Sequence, residues 1–340
     1  MRAAVFRRTG QKLSIETLDD PTPGPGEAVI AVGRCGVCGT DLHMTSGHGW
    51  DFPAGTIIGH EFAGEVVAIG KDTSRLKIGD RVTAMPAAGC GHCGFCIAGH
   101  PLLCPEMRGY AGGCADFMRI AESSAVILPS TLTMADGALV EPLAVGLHGV
   151  ALAALVPGAR VLMLGAGAVG LAAIFWAARL GAGRIVAASR SARRADLARQ
   201  MGAYAFVQTG EGEKARIEEA LGGTPDVVFE CAGAVGLLGQ SVNLVKTNGL
   251  VISMGFCTAP DPVIPGIATF KQVTIKFSMA YTLSEFEHVA RRLDAGDVEP
   301  RAMITETIGL DEFPDAFEAL RSGAAQTKLQ VRPSAIAGGV

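Results

Sequence analysis

Cys90, Cys93, Cys96 and Cys104 stand in the segment CGHCGFCIAGHPLLC at a spacing that lets one tetrahedral metal ion take all four sulfurs. Zinc is held by four thiolates in closed structural sites, and two-residue gaps turn successive sulfurs toward one centre without backbone strain. Glycines at 91, 94 and 99 supply the tight turns. The lobe, residues 88–106, has few large apolar residues with which to build a core of its own, so the metal has to stabilise it. The alternatives for such a run are disulfides or unligated thiols. Four sulfurs fill every zinc position, so this site holds structure and does no chemistry.

The 340 residues suggest two domains at roughly 100–200 residues each. A formal net charge of -4 and an aromatic content of 6% give no reason to expect nucleic acid or an anionic membrane as partner, and point to a small-molecule ligand. MRAAVFRRTG opens without an apolar signal core, and the long Ala/Val/Leu stretches are broken by Gly, Pro or charge before they reach spanning length. A cytoplasmic protein is expected. Nine cysteines in that compartment favour reduced thiols and metal ligation over a disulfide framework.

From residue 1 to about 150 the chain is a string of short β-type runs, among them EAVIAVG, FAGEVVAIG and RVTAMP, punctuated by Gly and Pro. That pattern predicts a largely antiparallel, barrel-like module. From 151 to 282 apolar strands alternate with helical stretches, ARVLMLG, AVGLAAIFWAARLG, RIVAASR, ADLARQMGA, PDVVFECAG and GLVISMG, which predicts parallel βαβ units. Residues 283–340 return to helices and a short strand, TKLQVRP, expected to pack back on the first module and make it discontinuous. The fold class is thus α/β plus β.

Directly after ARVLML comes Gly165-Ala166-Gly167-Ala168-Val169-Gly170, and a helical stretch follows. Strand and helix on either side are the context that makes GxGxxG a dinucleotide-binding turn: the glycines close the turn, admit a pyrophosphate to the backbone and let helix pack on strand. A tight turn in a Gly-rich protein is the plainer alternative. The second strand ends in Ser189-Arg190, where NAD-preferring folds carry Asp or Glu for the ribose hydroxyls. With no carboxylate to repel a 2′-phosphate and a guanidinium to bind one, NADP is expected over NAD. Arg193 and Arg194 add positive charge, though they could equally be a solvated helix start. Cys231 and Ala232, after the strand in PDVVFECAG, complete the expected cofactor contacts with Val169.

A second set of donors lies in GVCGTDLH (Cys38, Thr40, Asp41, His43), in GHE (His60, Glu61) and at Glu141 in EPLAVGLHG. Thiolate, imidazole and carboxylate suit zinc with one open position. By spacing alone, Cys38 could instead pair with Cys35 as a CxxC redox motif, and Gly59-His60-Glu61 could be a turn into FAGEVVAIG.

GVCGTDLH, GHEFAGEVVAIG, the four-cysteine lobe, EPLAVGLH and LGAGAVG occur in the order found in the zinc-dependent medium-chain dehydrogenase/reductase family, and the resemblance covers nearly the whole chain. Glu141-Pro142 resembles the sorbitol, butanediol and threonine dehydrogenase branch, since liver-type alcohol dehydrogenases carry a cysteine ligand there. The resemblance implies a GroES-like catalytic domain (1–150), a Rossmann domain (151–282) and an active site between them. It implies Cys38 and His60 as zinc ligands, with either Glu61 or Glu141 as the third. Asp41 would accept the free ring N–H of His60, and Thr40 and His43 would relay the substrate proton. The expected activity is hydride transfer between a nicotinamide cofactor and a secondary alcohol or polyol, or the matching ketone, by a homodimer or homotetramer holding two zinc ions per chain. Two features depart from that branch: Ala188-Ser189-Arg190 resembles the Gly-Ser-Arg of NADP-dependent secondary alcohol dehydrogenases, and the stretch between Cys104 and Gly112 is short. Pocket walls are expected from His48, Trp50, Phe52 and Tyr110, with core packing the alternative for the aromatics. The rival readings are a zinc-independent quinone or enoyl reductase of the same fold and a non-catalytic zinc- and nucleotide-binding protein.

Overall fold

Alternation along Glu27–Gly36 puts Ala28, Ile30 and Val32 on one face, and that face is buried against Phe62, Val66, Val82, Met118, Leu329 and Val331 from neighbouring strands. In the computed structural model, which describes residues 1–47 and 51–333, these strands form one sheet. Its order is Ala125–Ile127, Arg81–Ala84, Glu61–Ile69, Glu27–Gly36, Lys328–Arg332 and Ile304–Gly309, with Phe117–Ala121 also paired to Glu27–Gly36. All of these pairings are antiparallel except that between the last two strands. A smaller sheet joins Ser14–Thr17, Arg2–Phe6 and Thr56–Ile57.

The chain divides into two compact units, Met1–Glu141 with Tyr281–Val340, and Pro142–Ala280. The strand Lys328–Arg332 belongs to the first unit through its pairing with Glu27–Gly36, a register that no local sequence pattern announces. The first junction falls within the helix Met134–Ala153, so the change in sequence texture comes a few residues after the change of unit. This helix is long and apolar enough to cross a membrane, but 78% of its apolar window is buried inside the protein, as in a core helix.

The second unit is a six-stranded, all-parallel sheet in the order Ala205–Gln208, Ala182–Ser189, Ala159–Leu164, Val227–Glu230, Leu250–Ser253, Thr274–Phe277. Val161, Leu162, Met163 and Leu164 are all buried, so both faces of this sheet are covered, as a parallel sheet requires. Strand order reverses between Ala159–Leu164 and Val227–Glu230, and the crevice beyond their carboxyl ends is where doubly wound sheets take ligands.

Candidate metal and cofactor sites

The four sulfurs of Cys90, Cys93, Cys96 and Cys104 lie within 4.8 Å of one another. Tetrahedral Zn–S bonds of about 2.3 Å require sulfurs about 3.8 Å apart, so the set fits one ion. Gly91 and Gly99 turn the chain at φ +82° and +81°, whereas Gly94 opens the short helix Gly94–Ile97 and is no turn. A side chain at Gly89 would bring its Cβ to 2.3 Å from Cys96 Sγ. A Gly91 amide favours the Cys96 thiolate, but partial burial and hydrogen bonds among the clustered sulfurs outweigh it and push that thiol up to about 11. Four adjacent thiols resist ionising together, and a divalent cation removes that resistance. Phe95, Ile97 and Leu103 are exposed, as expected of a lobe without its own apolar core.

In the same unit, Cys38, His60 and Glu61 bring one sulfur, one ring nitrogen and one carboxylate oxygen within 4.8 Å of one another. Cys38 caps the helix Gly39–His43: its sulfur accepts the Thr40 N–H, and the Asp41 carboxylate accepts the Cys38 N–H in return. The capping residue and the ligand candidate are therefore one residue. Asp41, 1% exposed, faces His60 Nδ1 at 3.3 Å. Burial opposes both charges, but each stabilises the other: the Asp41 carboxyl is held below its ordinary range and the His60 imidazole well above its own. An imidazole whose Nδ1 is occupied in this way presents Nε2 to a metal. Thr40 and His43, three residues apart, share a face of that helix. The helix is steadied by Arg321, whose guanidinium donates to Leu42 O, Thr45 Oγ1 and Ser46 Oγ.

Glu141 does not share that cluster. Its Oε1 accepts the Tyr281 hydroxyl at 3.0 Å, and burial together with the Glu61 charge, against His60, Tyr281 and Lys328, pushes its carboxyl up to about 7. Glu61 instead meets a partner invisible in the motifs: Lys328 Nζ lies 2.6 and 2.7 Å from its two oxygens. Gly36 stands opposite Glu61 in the register, and a Cβ there would come 2.1 Å from Glu61 Oε2. The redox alternative for Cys38 finds no support, because the buried Cys35 sulfur instead accepts the Cys114 thiol at 3.7 Å between sulfurs and all nine cysteines are free. Gly59, at φ +99°, has room for no Cβ: it would meet those two sulfurs at 2.6 and 2.8 Å.

Among the expected pocket walls, Tyr110 is buried against Ala88 and Ala121 with its hydroxyl on Glu27, and Phe52 packs on the main core. Both are packing residues by these contacts. His48 and Trp50 lie outside the described residues.

In the second unit each glycine of the turn has its own reason. Gly165 is at φ +105°, and a Cβ on it would crowd Ala232 at 3.0 Å; a Cβ on Gly170 would strike Gly165 O at 1.9 Å. At Gly167 a Cβ meets no protein atom, so the space in front of the helix Ala168–Arg179 is open to a ligand. The neighbouring loop is shaped by Glu230, which the motifs did not reveal: its Oε1 accepts the N–H groups of Ala232 and Gly233 at 2.7 and 2.8 Å. Cys231 is buried beside it, and its thiol is driven well up by burial. A cleft of about 340 Å³ is lined by Ala166, Ser189, Arg190, Ser191, Arg193 and Arg194, with three guanidiniums and no carboxylate among them. Apart from Glu141, the donors expected from sequence thus fall into three groups, the sulfur lobe, the mixed cluster and this cleft.

Residues 24–130 match the alcohol dehydrogenase GroES-like domain and residues 168–295 the zinc-binding dehydrogenase family. Sorbitol dehydrogenase of Bacillus subtilis is 31% identical over 349 residues, covering 98% of each chain. A zinc-binding dehydrogenase of Sinorhizobium meliloti 1021, solved bound to NADP, superposes with a TM-score of 0.84 at 30% identity over 98% of this chain and 99% of that one. An alcohol dehydrogenase of Escherichia coli CFT073, solved with NADH, does so with a TM-score of 0.88 at 25% identity and the same coverage.

Proposed function

From its membership in the zinc-dependent alcohol and polyol dehydrogenases, oxidoreductases of the medium-chain family, we propose that this chain moves hydride between NADP and a secondary alcohol or polyol, or the matching ketone. The observation that carries the reading is the convergence of Cys38, His60 and Glu61 on one point, a donor set that leaves zinc an open position. A quinone or enoyl reductase of this fold has no use for such a set. Cys38, His60 and Glu61 would hold the catalytic ion, with Glu141 a second buried carboxylate of the same unit, hydrogen-bonded by Tyr281. Bound there, zinc acts as a Lewis acid that lowers the alcohol pKa and polarises the ketone. Asp41 fixes the ring of His60, and Thr40 and His43 carry the alcohol proton toward solvent. Gly165, Gly167, Val169 and Gly170 hold the pyrophosphate, Cys231 and Ala232 flank it, and Ser189, Arg190 and Arg194 take the 2′-phosphate. The sulfur lobe holds a second, structural zinc. The protein works in the cytoplasm as a homodimer or homotetramer.

The deciding experiment is a panel of secondary alcohols, polyols and ketones assayed with NADP and with NAD, beside metal analysis. Two zinc equivalents per chain and turnover with NADP are expected. Cofactor binding without turnover of any member would favour the non-catalytic alternative and overturn the assignment.

A further inference from the structure

Lys328 is 2% exposed and stands in the strand Lys328–Arg332, far in sequence from either metal-site motif. An ammonium has three hydrogens to donate. Two of its contacts are the two oxygens of Glu61 at 2.6 and 2.7 Å, and the third is Val37 O at 3.0 Å. Every donor is used, so the side chain has no freedom to reach a substrate. Val37 immediately precedes Cys38, and its N–H is bound to Leu329 O at 2.9 Å, so backbone and side chain join the same two segments. Gly36 leaves the carboxylate its room. A lysine this buried is rarely kept for stability alone, since desolvating both ions of a pair costs about as much as their attraction returns.

We infer that Lys328 is a positioning residue of the mixed metal site: it ties Glu61 to the backbone ahead of Cys38, so that thiolate, imidazole and carboxylate are gathered before an ion arrives. By sharing the carboxylate's charge it also leaves a bound ion more electrophilic. The inference rests on Cys38, His60 and Glu61 being metal ligands, and the sulfur lobe serves as an internal reference because Lys328 makes no hydrogen bond to it.

The test compares purified wild-type protein with Lys328→Met and Lys328→Arg. Zinc release to a chromogenic chelator is followed, along with the pH profile of kcat/KM. Loss of an outer partner of this kind weakens metal binding about 10- to 100-fold. Release from the mixed site is therefore expected to accelerate about tenfold or more in Lys328→Met, with release from the sulfur lobe unchanged. Lys328→Arg, which keeps the charge but not the three-point geometry, falls between, and the acid limb of the profile moves to higher pH in the same order. Should Lys328→Met fail to fold, Lys328→Arg carries the decision. A folded variant whose release rate and pH profile both match wild type overturns the inference and leaves Lys328 a partner for a buried charge. A wild-type protein that holds zinc only in the sulfur lobe is a different result: it overturns the catalytic-zinc reading, and the inference with it.

Discussion

Ser189 ends its strand in a hydroxyl where a carboxylate would repel a 2′-phosphate, and exposed Arg190 lines the same cleft as Arg193 and Arg194. A charge-assisted hydrogen bond from a guanidinium contributes about 1.5–3 kcal/mol, and 1.4 kcal/mol is a factor of ten. Steady-state kinetics should therefore give NADP an advantage of about tenfold or more in kcat/KM. Ser189→Asp with Arg190→Ala should reverse it; a wild type that prefers NAD would make Arg190 a residue lying over the adenine. At the mixed cluster, Cys38→Ala removes both the proposed ligand and a helix cap, so about one zinc equivalent and nearly all turnover should go together. Retention of full zinc and activity would remove Cys38 from the site. These residues were legible in the sequence because ligand spacing is local. Lys328, Tyr281 and Glu230 were not. Their roles depend on which strands and loops the fold brings alongside the motifs, and a lysine in TKLQVRP reads as an ordinary strand-end charge until its strand is paired with Glu27–Gly36.

The turn between Ala159–Leu164 and Ala168–Arg179 lets stability and binding be separated by one methyl group. Gly167→Ala adds a Cβ that touches no protein atom, so the melting temperature should hardly change while cofactor affinity, measured by fluorescence titration, falls about tenfold or more. Gly170→Ala drives its Cβ into Gly165 O and should lose both. If Gly167→Ala binds normally, the open space is not where the pyrophosphate lies. At the opposite end of the same strands, Asp226 accepts from the Arg160 N–H and guanidinium and pairs with Lys246 at 2.6 Å. Burial opposes its charge, but these partners hold its carboxyl at about 2. Because the folded value is depressed, the contribution is full above the ordinary value of about 3.8 and fades as pH falls through about 2. Discounted for its partial exposure, Asp226→Asn should cost about 1–2 kcal/mol in urea unfolding at pH 7 and about half of that at pH 3. Strand and helix identities here followed from apolar period and glycine position. The outlying strand Lys328–Arg332 shows the limit of that reading, because a five-residue alternating run, KLQVR, specifies a strand but not its neighbour.

Over the whole molecule, the parallel sheet ends at Thr274–Phe277, whose outer backbone groups have no neighbouring strand in the described chain. Phe277 is 72% exposed on this edge, and Phe270 and Met279 are exposed in the segments on either side. An unpaired edge of this kind invites pairing with another chain and is an aggregation hazard if left bare. Lys276, the one charged residue of this strand, is exposed and donates to Leu152 O at 2.9 Å. A second copy of the same edge is the self-complementary partner that a two-fold axis supplies. Sedimentation at micromolar concentration should therefore find a dimer or tetramer. Phe277→Glu should shift it toward monomer while leaving the fold of the unit intact, since this side chain contributes little to its core. A wild-type monomer would remove the assembly altogether, and a Phe277→Glu protein that stayed fully assembled would place the interface on another surface.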